Sequence, residues 1–271
     1  MIPKVRLPKA RRMIRLEVRG RESPTPSFAS LTLGGPALQD LTVAGADQTV
    51  RLFFPRAGQT ALRMPTAASE AWMAQVLLMP KSVRPQVRNM TIRRARPAED
   101  EIDIEFVLHG DSPMSSWVRR VRPGDPAGIF DMGTTYRPPQ HAQWQLLVGD
   151  ETALPAILAI LDQAPPSLTA EVYLEVPTAA DVRDVVAPPG VRIHWFGRDD
   201  RADHRADERP GAVVLDAVRG AAMPPGRVYA WVAGESRLAT SVRRHLVDDR
   251  GVPKPDISFA GYWRRGWSAP G

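Results

Sequence analysis

The hydrophobic period of this chain changes near mid-length, and that change limits the fold more than any single motif. In EIDIEFVLH, Ile102, Ile104, Phe106 and Leu108 fall on one face and Asp103, Glu105 and His109 on the other, with Val107 breaking the alternation. Period two belongs to a sheet with one buried face. FASLTLGG, TVRLFFP and VRNMTIRR repeat the signal between Gly and Pro boundaries. Several short strands with turn signals and little helical periodicity predict a small antiparallel barrel.

After YRPPQHAQ the pattern alternates. WQLLV reads as a strand and TALPAILAILDQ as a helix stopped by Pro165 and Pro166. AEVYLEV is a strand, AADVRDVV a short helix and VRIHWF a strand; RDDRADHRADERPG is a charged loop. A helix at AVVLDAVRG, a strand at RVYAWVAG, a helix at ESRLATSVRRHLVDD and a strand at ISFAGYW complete the chain. Strand–helix alternation at this spacing predicts βαβ units and a parallel sheet. The expected fold is an antiparallel β-barrel over residues 1–137 followed by a parallel-sheet α/β domain over 138–271.

Composition removes several functional classes. The absence of cysteine excludes disulfides, thiolate zinc sites and cysteine-ligated iron–sulfur clusters. No run of about 18 apolar residues occurs, so no transmembrane helix is expected. The stretch MIPKVRLPKARRMIRLEV is basic without a contiguous apolar core or a small-residue cleavage site, which reads as mature protein in the cytoplasm. The net charge of +6 comes mostly from dispersed arginines. Solvated surface accounts for most of them; attraction of an anionic ligand accounts for the remainder. No nucleic-acid motif or aromatic–basic interleaving accompanies the charge, so nucleic acid is not expected as a partner. His141, His194, His204 and His245 lack ligand spacing, so no metal site is expected.

Two polar turns carry the candidate chemistry. In GDETALPAI, Gly149, Asp150, Glu151 and Thr152 sit where a strand hands over to a helix, and VAGES repeats the arrangement with Ala233, Gly234 and Glu235. The carboxyl edge of a parallel sheet is the default ligand site, and a helix amino terminus offers free N–H groups to an anion. The plain alternative is helix capping by Asp150 or Thr152. No GxGxxG fingerprint is present, which disfavours a Rossmann dehydrogenase.

These residues carry a resemblance. LLVGDETALPAI, AWVAGESRLATSVRRHLVDDRGV and GYWRRG resemble the siderophore-interacting protein family of ferric-siderophore reductases; VRNMTIRRA and FVLHGDSPMSSWVRRVRPGD resemble its flavin-binding half. The resemblance spans nearly the whole chain, with the motifs in matching order. It implies a ferredoxin-reductase-like fold, with a FAD-binding barrel and an NAD(P)H-binding α/β domain. The family's flavin motif, Arg-x-Tyr-Ser/Thr, falls on Arg88, Asn89, Met90 and Thr91. It implies Arg88 at a flavin phosphate and Thr91 at the isoalloxazine edge, with Met90 in the aromatic position. His109, Gly110 and SPMSSW resemble the diphosphate loop, with Ser115 and Ser116 opening the next helix and Trp117 in the core.

The chemistry so implied uses NADPH or NADH as electron donor, FAD as carrier and a ferric siderophore as acceptor. No side chain is assigned a catalytic acid or base role. The resemblance implies basic groups that hold the anionic chelate; Arg51, Arg264 and Arg265 are the candidates. Two alternatives stand beside this reading. One is a general NAD(P)H:flavin or electron-transfer reductase, the other a flavin-poor siderophore-binding accessory protein. Glu175 suits a ribose hydroxyl, whereas Arg183 or Arg198 suits a 2′-phosphate, which leaves the nucleotide open. The chain is expected to act as a monomer without membrane insertion.

Overall fold

In the computed structural model, which describes residues 5–8, 10–199 and 209–267, one compact unit reaches Thr134 and a second starts at Thr135. The first unit contains β1 (Met13–Thr25), β2 (Phe28–Gly34), β3 (Thr49–Phe54), α1 (Ala71–Leu78), β4 (Gln86–Thr91), β5 (Arg94–Arg96), β6 (Glu101–Val107), α2 (Pro113–Arg120) and β7 (Pro126–Gly133). Its seven strands lie in the order β4-β3-β7-β1-β2-β6-β5, and all the strand pairings are antiparallel. β4 and β5 are consecutive in the chain yet occupy opposite edges. The sheet must therefore curl until its edges approach. The short link shows the hand-over: Ile92 N–H donates to the Gln48 carbonyl at 2.9 Å, and Arg93 N–H donates to the Asp103 carbonyl at 2.8 Å.

Alternation fills the barrel. Ile14, Leu16 and Val18 of β1 meet Val50, Leu52 and Phe54 of β3 and Ile102, Ile104 and Phe106 of β6 in one core. Trp117 and Val118 of α2 join this core; the Trp117 ring stacks on Phe54 at 4.7 Å. A second cluster forms where the other face of β3, β4 and β7 is apolar. Phe53, Val87 and Phe130 pack there under Trp72 and Val76 of α1. β7 is consequently buried on both faces.

The second unit contains β8 (Trp144–Gly149), α3 (Leu154–Asp162), β9 (Thr169–Val176), β10 (Gly190–Gly197), α4 (Ala212–Gly220), β11 (Val228–Glu235), α5 (Ser236–Asp248) and β12 (Ile257–Trp263). Its five strands run parallel in the order β10-β9-β8-β11-β12. The chain thus winds outward from β8 on one side and returns beside it with β11. That reversal makes a topological switch point at the carboxyl ends of β8 and β11.

The expected helix at AADVRDVV does not form. One 3₁₀ turn covers Ala179–Asp181, closed by a capping box in which the Thr178 and Asp181 side chains each meet the other residue's backbone N–H. Val182 is already extended, and Val186 is 94% exposed. A helix here would have no apolar face to bury, and Pro188–Pro189 follow directly. Of the expected charged loop, residues 200–208 lie outside the described residues, and His204 with them. Among the described residues, no helix is long and apolar enough to cross a membrane.

Candidate functional site

The carboxyl edge of the parallel sheet brings GDET and AGES together. Gly149 ends β8 against α3; a Cβ there would lie 2.6 Å from that of Ala153. The next residue, Asp150, is fully buried, and its two oxygens accept four hydrogen bonds. Its Oδ1 accepts from the Thr152 N–H at 2.9 Å and the Thr152 hydroxyl at 2.6 Å. Its Oδ2 accepts from the Glu235 N–H at 2.6 Å and the Trp263 indole N–H at 2.9 Å. Burial, and then the neighbouring Glu151, push the Asp150 carboxyl up to about 6, against the pull of these hydrogen bonds. Gly234 admits the carboxylate, since at φ 130° its missing Cβ would lie 2.6 Å from the Asp150 Cγ.

Glu235 faces its own helix. Its Oε2 accepts from the N–H groups of Arg237 and Leu238, which caps α5. The two turns therefore form a polar knot in which much of the hydrogen bonding is internal. The capping role foreseen for Asp150 takes the form of an Asx-type turn with Thr152. Asp150 also reaches across the sheet, which local sequence does not reveal.

Glu175 and Arg198, the candidates for a ribose hydroxyl and a 2′-phosphate, are engaged in internal hydrogen bonds. The Glu175 carboxylate is fully buried and accepts from Gly211 N–H at 2.7 Å, at the start of α4, and from Arg198 at 3.1 Å. Arg198 also grips both oxygens of Glu151, at 2.6 and 2.8 Å. Burial works against the Arg198 charge, but hydrogen bonds to Glu151 and Glu175 hold it above the ordinary arginine range. Burial pushes the Glu175 carboxyl up, opposed by the same contacts. A buried carboxylate already spent on a helix start cannot turn to a ribose hydroxyl without leaving those donors orphaned. Arg183 lies, half-buried, in the extended stretch after the 3₁₀ turn.

In the barrel unit, pairing decides which way each candidate points. Arg88 and Met90 of β4 lie opposite Leu52 and Val50 of β3, while Asn89 lies opposite Arg51. Directly paired residues share a face. Arg88 and Met90 thus leave one face, Arg51 and Asn89 the other. Met90 is half-buried against the barrel core, and Thr91 is buried at the end of β4. Arg88 is half-buried and has no carboxylate partner among the described residues; its Nη1 donates to the Val87 carbonyl at 2.7 Å. Burial, and then the nearby Arg56, hold its guanidinium below the ordinary arginine range. A desolvated cation beside a second cation gains strongly from an anion, so Arg88 fits a phosphate group. Arg56 is the residue that sequence reading missed; it is fixed by donation to the Arg84 carbonyl at 2.9 Å.

Arg51 sits on the other face, 5.6 Å over the Trp72 ring, with a buried Nε that has no hydrogen-bond partner among the described residues. Burial lowers its pKa, partly offset by Glu70. The helix at SPMSSW starts earlier than expected. Ser112 caps α2 by accepting from the Ser115 N–H at 3.2 Å, and Pro113 supplies the first turn. Ser115 lies inside the helix, fully buried, and its hydroxyl holds the His109 backbone at 3.2 Å on both N–H and carbonyl. Ser116 is half-buried and the His109 residue itself is exposed. The Ser-Pro pair in DSPMSSW was the legible signal for this start.

Arg264 and Arg265 are exposed at the end of β12. Three histidines have acidic partners: His141 with Asp256 at 2.9 Å, His194 with Glu171 at 2.8 Å and His245 with Asp249 at 2.7 Å. No metal-ligating cluster occurs among the described residues.

Comparison with known proteins assigns both halves. The model of the siderophore-interacting FAD-binding domain matches residues 17–135, and that of the siderophore-interacting protein matches residues 142–266. The chain belongs to the siderophore-interacting protein family. The family's fold, a flavin-binding barrel and a parallel α/β unit, is the one its sequence resemblance implied. A siderophore utilization protein from T. fusca has a similar crystal structure, with a TM-score of 0.81 and 29% identity, over 98% of this chain and 97% of that one. An uncharacterized protein of Mycobacterium tuberculosis, Rv2895c, is 32% identical over 89% of this chain and 86% of its own length. Ferric vibriobactin reductase ViuB of Vibrio cholerae is 28% identical over 80% of this chain and 76% of its own length.

Proposed function

We propose that this protein is an NAD(P)H-dependent ferric-siderophore reductase. FAD, when bound, supplies the conversion between a two-electron nicotinamide donor and a one-electron ferric acceptor. The observation that carries the reading is the switch point between β8 and β11, occupied by two polar turns, in a chain whose other half is an FAD-binding domain. The assignment to ferric siderophores draws on the reductase named in Vibrio cholerae.

The residues divide the work by position. In this reading residues 1–137 hold FAD and residues 138–271 hold the nicotinamide nucleotide. Arg88, backed by Arg56, supplies positive charge for a flavin phosphate; Ser116 and the exposed His109 stand at the loop and helix start that complete that site. Met90, on the Arg88 face of β4, packs against the flavin, and Thr91 reaches the isoalloxazine edge from the end of the strand. At the switch point, the backbone of Gly149–Thr152 and Ala233–Glu235 forms the floor of the nucleotide site, while Asp150 and Glu235 keep that backbone in shape from below. Arg51, Arg264 and Arg265 hold the anionic chelate by its periphery. Iron needs no protein ligand here, because hard oxygen donors of the chelator hold Fe(III) and release Fe(II) more readily. The reading places the chain in the cytoplasm, where reduced nicotinamide nucleotides are made.

Anaerobic titration tests it. The FAD-loaded protein should lose its oxidised flavin absorbance on addition of NADH or NADPH and regain it on addition of an anionic ferric chelate. A flavin that neither nucleotide reduces, or a reduced flavin that ferric chelates fail to reoxidise, would refute the assignment.

A further inference from the structure

The Trp263 indole and the two arginines after it begin a short arm at the end of β12, and one carboxylate fixes where that arm starts. Asp150 Oδ2 accepts from the Trp263 indole N–H at 2.9 Å and from the Glu235 N–H at 2.6 Å, so it ties the ends of β8, β11 and β12 together. The Ser236 hydroxyl donates to the Trp263 carbonyl at 2.8 Å, and the Arg265 N–H points at Glu235 Oε1 at 3.4 Å. Gly266, at φ 79°, then turns the chain. Trp267 bridges back to Arg264, and the Arg264 guanidinium lies 5.5 Å over its ring. Arg264 and Arg265 therefore stand, exposed, on a tight turn whose root is anchored from inside the sheet.

We infer that Asp150 is a positioning residue: through Trp263 and Glu235 it fixes the arm that presents Arg264 and Arg265 to the anionic ferric chelate. The inference rests on the reading above that these arginines meet the chelate. Asp150 does not touch a ligand in this role, being fully buried with both oxygens already occupied. Its effect is on entropy. Arginines on an untethered segment must be ordered at the moment of binding, which costs affinity for each rotamer-rich side chain and backbone unit fixed. Three of the four donors to Asp150 are N–H groups, which cannot reverse. The two that hold β11 and β12 share Oδ2, while the reversible Thr152 hydroxyl sits on Oδ1. The bonds that set the arm are thus separate from the one contact able to switch direction.

Trp263→Phe removes a single indole N–H and keeps an aromatic ring, so it isolates the anchor. In the FAD-loaded protein, hydrogen–deuterium exchange at residues 264–267 should speed up by about tenfold, the factor of one charge-assisted hydrogen bond, while β8 and β11 keep their protection. The probe is a Ga(III) catecholate complex, redox-silent and charged like its ferric counterpart. Its affinity should fall by about 3- to 10-fold as the ordering cost returns to the binding step. Arg265→Glu and Arg264→Glu are the references. They should weaken the probe directly, without faster exchange at Trp263.

Unchanged exchange in Trp263→Phe overturns the anchoring. Faster exchange with unchanged affinity, while Arg265→Glu does weaken the probe, overturns the positioning role. If neither arginine variant alters affinity, the docking reading falls instead, and faster exchange still supports the anchor. Asp150→Ala removes the acceptor altogether and should speed exchange at residues 264–267 at least as much as Trp263→Phe; if it does not fold, the Trp263 variant decides alone.

Discussion

Gly234→Ala puts the knot at the sheet edge under direct strain. Gly234 has φ 130°, and a built Cβ lies 2.6 Å from the Asp150 Cγ and 2.7 and 2.8 Å from its two oxygens. Carbon atoms in contact need about 3.5 Å, so the carboxylate must retreat by about 0.9 Å. The bonds from Glu235 N–H and Trp263 are 2.6 and 2.9 Å long, and a shift of that size carries them beyond the hydrogen-bonding range. A left-handed backbone forced on alanine costs about 1–3 kcal/mol. Weakening bonds to a buried charged acceptor adds about 1.5–3 kcal/mol. The expected loss is about 3–5 kcal/mol. With a urea slope of about 2 kcal/mol/M, the midpoint should drop by about 2 M. The assay is urea unfolding followed by far-UV circular dichroism, with the same excess of FAD throughout because ligand binding shifts apparent stability. Gly220→Ala is the control: no atom lies within 4 Å of its built Cβ, in α4, so it should be neutral or slightly stabilising. If Gly234→Ala unfolds at the same urea concentration as Gly220→Ala, the packing argument is wrong.

Other outcomes follow from the same geometry. Glu175→Ala leaves the buried Gly211 N–H without its acceptor and takes one of two carboxylates from Arg198, which keeps Glu151; it should cost about 1–3 kcal/mol, whereas Glu175→Gln should cost less, and urea midpoints separate them. The Asp150 carboxyl titrates near 6 in the folded chain, against an ordinary 3.8. The folded state therefore holds more protons between these values, and the stability contributed by this group is full below about 3.8 and lost as pH rises through about 6. Melting temperatures across that window should show a downward slope with pH that Asp150→Asn removes; identical slopes in both proteins would contradict the assignment. Arg88→Ala should weaken FAD retention on gel filtration while leaving the circular dichroism spectrum unchanged, and undiminished FAD affinity would move the phosphate site elsewhere. Arg51→Glu and Arg265→Glu should raise the apparent KM for an anionic ferric chelate, and salt should do the same to the unmodified protein because exposed attraction is screened over about 8 Å.

Much of this molecule is legible in its sequence, because the hydrophobic period reports which faces are buried. The alternation in EIDIEFVLH and the strand–helix sequence from WQLLV to ISFAGYW specified a barrel followed by a parallel sheet. β1 carries the same signal in Ile14, Leu16 and Val18, inside a stretch whose arginines draw attention to charge. β7 carries none, because both of its faces are covered and PAGIFDMG does not alternate. AADVRDVV has helix-forming residues but no face that tertiary packing buries, so propensity alone did not make a helix there. The motif residues at the sheet edge are equally readable as polar turns after strands. Their partners are not. Asp150 meets Glu235 and Trp263, 85 and 113 positions away, and Glu175 meets Gly211 and Arg198, because strand order brings those segments side by side. Periodicity records burial one segment at a time, whereas strand order is set by how whole elements pack. The sequence by itself therefore determined where the polar turns fall, and only the tertiary structure decided that Asp150, Glu175 and Glu235 turn inward to tie strand ends and helix starts, because their donors come from segments distant in the chain.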